Sequence, residues 1–167
     1  MTIKQFDRFK GGSLVELMIA TVVIAITVLG FTAYRYHSAL DARKADMHMT
    51  AGRIGLLLCE SWRGVNGKET YDLTTTDFGS DLVITASDND GGEPNDFELL
   101  GAYKIVLNRA NYYATLSWKD GDGSSTGLKA LNVTVAWAQR NQGVIDIDDT
   151  DKTIEYTTYA VGYDGGG

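Results

Sequence analysis

The side chain with the largest chemical consequence in this sequence is Glu16. It stands just before an uncharged apolar run, Leu17 to Tyr34. A carboxylate inside a hydrocarbon-embedded helix costs a few kcal/mol and calls for a partner. Its chemistry would be ion pairing, with the cation supplied from elsewhere. A second chemistry is offered by acidic loops. Asp88-Asn89-Asp90-Gly91-Gly92-Glu93 and Asp120-Gly121-Asp122-Gly123 cluster oxygen ligands of the kind calcium takes, and Asp88, Asp90 and Glu93 form the best set. Neither loop completes the pattern of alternating ligands closed by a distal Glu. Asp146-Ile147-Asp148-Asp149-Thr150-Asp151 is also acidic, and Asp, Asn and Gly equally make solvated turns. No metal or cofactor is assigned on this basis.

The remaining reactive types do not converge. His37 and His48 lie about three helical turns apart and cannot share a metal on one chain, so they read as surface or interface residues. Cys59 is the only cysteine, which excludes an internal disulfide and a thiolate metal cluster; in Leu56-Leu57-Leu58-Cys59 it reads as a small core residue. No nucleophile stands in a strand–turn–helix context, and the Gly-rich stretches lack the Lys-Ser/Thr ending of a phosphate loop. The chain reads as a non-enzyme.

The elements that position these residues begin with charge. The 167 residues carry a formal net charge of −7. Lys4, Arg8 and Lys10 against Asp7 give residues 1–11 a charge of +2, leaving −7 − 2 = −9 on the rest. An acidic body argues against nucleic-acid binding. A basic head, an apolar block and an acidic body suit a protein that meets a membrane. Leu17–Tyr34 is 18 residues, ~27 Å as a helix against a hydrocarbon core of ~30 Å. The polar remainder supplies little apolar cover for a buried core helix of that length. A removable signal peptide is the stronger rival, with Val28-Leu29-Gly30 as a mediocre cleavage site ahead of Phe31.

No proline occurs before Pro94, so nothing breaks a first helix. Beyond Tyr34 the pattern turns amphipathic: Tyr36, Leu40, Met47, Ala51, Ile54, Leu58 and Trp62 fall on one face. Gly64 is a helix stop with Asn66-Gly67 as a turn, and Gly52 and Gly55 are weak points. Residues 68–167 read as short strands. Leu82–Thr85 is one; Tyr103–Leu107 and Tyr112–Trp118 form a hairpin about residues 108–111; Leu131–Trp137 alternates strictly; Ile154–Val161 is the last. The expected fold class is α+β, a long N-terminal helix packed on a C-terminal antiparallel sheet.

One local string adds a specific resemblance. Lys10-Gly11-Gly12-Ser13-Leu14-Val15-Glu16-Leu17 resembles the type IV prepilin signature: a basic leader ending in Gly, then a Glu fifth after the cut inside an apolar helix. The resemblance covers roughly residues 4–35. It implies cleavage by prepilin peptidase between Gly11 and Gly12, with Glu16 as the fifth mature residue, paired in the filament with the new amine on Gly12 of a neighbour or of the same chain. A Gly at the cut admits close approach of a peptidase. The family usually carries Phe or Met at the position of Gly12, commonly N-methylated, so Gly12 is also the methylation position implied. The expected parts are a leader, 1–11; a transmembrane and filament-core half, 12–34; an amphipathic half, 35–63; and the sheet domain, 68–167. The chain has no proline in the apolar half and cannot close a C-terminal disulfide, departures that point to a minor pilin or secretion pseudopilin rather than a main fibre subunit. The strand order, with Trp118 and Trp137 each ending a strand, is also similar to the minor pilins that include pilus modification proteins and one type II secretion pseudopilin. The implied setting is the bacterial inner membrane, N-terminus cytoplasmic, then an extracellular or periplasmic filament. The implied partners are other pilins or pseudopilins, prepilin peptidase and an inner-membrane assembly platform, with no direct nucleic-acid contact. The rivals are a secreted binding module behind a cleaved signal and a pilus-tip adhesin.

Overall fold

The structure, a computed structural model, describes residues 13–79, 82–88, 94–121, 127–138 and 152–161. One helix, α1 (Leu14–Gly64), runs for 51 residues. Ser13 opens it: its carbonyl accepts from the N–H groups of Glu16 (2.8 Å) and Leu17 (3.2 Å), and its Oγ from Val15 (3.3 Å). The helix closes at the expected glycine. Gly67 N–H returns to the Trp62 carbonyl (3.1 Å), and Asn66 and Gly67 take φ of 57° and 67°. These are left-handed conformations that Asn and Gly enter at least cost. Trp62 Nε1 donates to the Lys68 carbonyl (3.1 Å), fixing the outgoing chain.

A short 3-10 turn, Leu73–Thr75, follows, capped by Asp72. Five strands then form one antiparallel sheet in sequence order: β1 (Val83–Ala86), β2 (Glu98–Leu107), β3 (Ala110–Asp120), β4 (Leu128–Trp137) and β5 (Lys152–Val161). The architecture is the α+β fold expected, with α1 packed against the sheet. The β2–β3 hairpin closes on Asn108 and Arg109 at φ of 52° and 65°, the doubly positive pair of a two-residue hairpin turn. A register shift between Leu99 and Gly101 bulges β2 at its other end.

The chain falls into two compact units, Met1–Arg43 and Lys44–Gly167. The second holds the core. Ala51, Ile54, Leu58, Cys59 and Trp62 of α1 are buried against Ile105, Leu116, Val133, Val135 and Trp137 of the sheet. The amphipathic stripe is therefore real, but it starts later than its sequence spacing suggests. Met47 is half-buried, whereas Tyr36 is 64% exposed.

One expectation is corrected. Gly52 and Gly55 are not weak points but clearance for a ring. A Cβ on Gly55 would lie 2.5 Å from Tyr156 Cδ2, and one on Gly52 would lie 3.0 Å from its hydroxyl. The alternation of β4 puts Leu131, Val133, Val135 and Trp137 on one face, and the opposite face is also buried at the sheet centre. Tyr113, Thr115, Ser117, Ala130, Asn132 and Ala136 on the face away from α1 are at most 4% exposed. There Asn132 Nδ2 donates to Glu155 Oε1 (2.5 Å) and Thr157 Oγ1 (3.3 Å), and Thr134 donates to Asn132 Oδ1 (3.2 Å).

Two stability changes follow, each read from denaturant midpoints. Gly55→Ala should destabilise by about 1–3 kcal/mol although alanine is the better helix former, because Tyr156 fills the space. In a Tyr156→Ala background the same change should stabilise. Arg109→Gly should stabilise by roughly 0.5 kcal/mol, since glycine enters the left-handed region freely.

Candidate functional site

Glu16 sits in the first turn of α1, three residues after Ser13. Ser-x-x-Glu at a helix start is the capping-box spacing, in which the acid reaches back to the cap's own N–H. Only the serine half of that box is formed. Ser13 serves as cap through Val15, and among the described residues no hydrogen bond or ion pair engages the Glu16 carboxylate. A negative charge here also meets the positive end of the helix dipole, about 0.3–1 kcal/mol in favour.

Around it the helix presents apolar surface on every side. Leu14, Leu17, Ile19, Val22, Ile26 and Leu29 are each at least 58% exposed. No residue of the most apolar window is buried, and α1 is long and apolar enough to cross a membrane. Its polar side chains are satisfied locally: Thr21, Thr27 and Thr32 donate to the carbonyls of Met18, Val23 and Val28, each at 2.8 Å. A hydroxyl bonded this way leaves no donor for surrounding lipid to solvate.

Gly11 and Gly12, the cleavage positions the resemblance implies, lie outside the described residues, as do Asp90, Glu93 and the 146–151 acidic stretch. Asp88 is described and exposed just past β1. It borders a cleft of about 470 Å³, with Glu69, Asp72, Leu99, Gly101 and Tyr103 on its walls. Two of the cleft's acids have partners. Glu69 pairs with Lys129 (2.5 Å), and Asp72 accepts from the backbone and hydroxyl of Thr74, both at 2.9 Å. Those bonds, with one from Tyr103, hold the Asp72 carboxyl below its ordinary value. Among the described residues no three of His, Cys, Asp and Glu come together as a metal site. His48 sets its ring edge-on to Trp137 (5.6 Å between centroids), and His37 does the same to Tyr36 (5.8 Å).

Comparison with known proteins finds no matching protein family, curated protein or solved structure.

The buried protons of the second unit set its alkaline limit. Burial pushes the Cys59 thiol from 9.0 up to about 11, and desolvation likewise raises Tyr71, Tyr103 and Tyr112 above 10.0. The unfolded chain releases these protons first, so the stability they contribute is complete below pH 9.0 and drains as pH climbs toward 11. Urea midpoints measured across this range should fall, less steeply in Cys59→Ala. A thiol reagent should leave native Cys59 untouched at pH 8 and label it on unfolding.

Proposed function

We propose that this chain is a structural subunit of a type IV pilus or of a related secretion pseudopilus, in a minor rather than main-fibre position. It waits in the inner membrane on α1, loses residues 1–11 to prepilin peptidase, and enters a filament in which Glu16 meets the new amine of Gly12. The observation that carries this reading is the combination within α1. An all-round apolar segment with one acid in its first turn continues without interruption into the helix that forms the core of the sheet domain. That continuity favours the filament subunit over a secreted module, because the module's cleavage point, after Gly30, falls inside the helix. A cut there would be made in regular helical backbone.

The charge at position 16 is the testable core of the proposal. Opposite charges attract far more strongly in apolar surroundings than in water, and removing one partner of a desolvated pair is severe. Glu16→Gln removes the charge while keeping the size and hydrogen-bonding reach of the side chain, and glutamine is as compatible with a capping box as glutamate. If charge pairing drives assembly, Gln and Ala variants should both be processed normally. Both should then enter filaments at about a tenth of the native level or less. If assembly needs only a polar side chain at this position, Glu16→Gln should incorporate normally. Mass spectrometry of the exported protein should find Gly12 as its first residue. Phe31 in that place would favour the secreted module.

A further inference from the structure

The apolar half of α1 ends in a distinctive trio. Tyr34 is 71% exposed and Tyr36 is 64% exposed, and between them the Arg35 guanidinium stands over the Phe31 ring, 5.9 Å from its centroid. Tyr36 has the spacing of the sheet-facing stripe but is not used for it. Two uncovered tyrosines flanking a cation, the first of them closing a run of 18 uncharged residues, have the chemistry of a membrane–water boundary. Tyrosine puts its ring among acyl chains and its hydroxyl among headgroups, and arginine binds phosphate oxygens.

We propose that Tyr34, Arg35 and Tyr36 anchor α1 to phospholipid headgroups and so fix its membrane register. The proposal rests on reading Leu17–Tyr34 as a membrane span. A hydrocarbon core of ~30 Å takes about twenty helical residues at ~1.5 Å each. Counting back from Tyr34, the opposite boundary falls at Leu14 and the midplane at Ile24. Glu16 is then only two residues, or ~3 Å, inside the hydrocarbon edge. Its carboxylate reaches headgroup water while the subunit is held in the bilayer. The strong demand for a cation arises when the helix leaves that register, as it must on entering a filament. The anchor therefore separates a tolerant waiting state from a demanding assembled one.

Spin-label depth in phosphatidylethanolamine–phosphatidylglycerol vesicles tests this on the full chain. Cys59→Ala removes the native thiol, and single labels are placed by Ser13→Cys, Ile24→Cys, Val28→Cys and His37→Cys. The expected profile is deepest at Ile24, with the labels at 13 and 37 both at headgroup level. Adding Tyr34→Ala, Arg35→Ala and Tyr36→Ala lengthens the uncharged stretch, and the deepest point should move about one turn, toward Val28. A profile unchanged by the triple substitution, or one deepest away from Ile24 in the native sequence, overturns the anchor while leaving the membrane span intact. Labels that are all water-exposed overturn the span itself and the anchor with it.

Discussion

A single uninterrupted ladder of backbone hydrogen bonds, from Leu14 to Gly64, is the constraint on which the rest depends. A helix satisfies its own N–H and C=O groups, so the same backbone can exist in lipid, in water or against a protein core. What changes along α1 is only the side-chain surface. Before Tyr34 every side is apolar and uncovered; after Met47 one side is buried by the sheet. The threonines of the first half follow the same rule, each closing its hydroxyl on the preceding turn.

The ends of that ladder are handled by different chemistry. At the C-terminal end, Asn66 and Gly67 adopt left-handed backbone and Trp62 locks the following turn, all within a packed domain. At the N-terminal end, Ser13 and Glu16 are the only polar side chains in the first described turn. A carboxylate there is locally favourable to the helix dipole yet globally costly in an apolar setting. These two tendencies oppose each other, and which prevails depends on how deep the first turn lies. The residue is thus sensitive to its environment in a way the surrounding Leu, Val and Ile are not.

Much of the fold was legible because it rests on local signals. The absence of proline, the change from uniform to amphipathic patterning, the Gly64 stop, and the alternation of Leu131–Trp137 each act within one element. They place α1 and β1 to β5 within about five residues of their positions, with β2 beginning at Glu98 rather than Tyr103. Buried Cys59 was legible for the same reason. What escaped came from partners distant in the chain. Nothing near Gly52 and Gly55 announces a tyrosine from β5. The polar residues Thr115, Ser117 and Asn132 look like a solvent face, and their burial is a property of the assembled sheet. Tyr36 shows the converse, a residue with the right helical phase but no sheet beside it. At the candidate site, the spacing of Glu16 was visible, while its relation to Ser13 emerged only with the helix start in place.

The Tyr156 ring lying across Gly52 and Gly55 also ties the seating of the helix to one strand of the sheet. All five strands pair with sequence neighbours, so contacts within the sheet are local in the chain. The clamp is not: Tyr156 lies more than a hundred residues beyond the glycines it covers. Closing so long a loop costs more entropy than closing any hairpin of the sheet. The helix face bearing those glycines therefore gains its cover only once β5 has paired with β4.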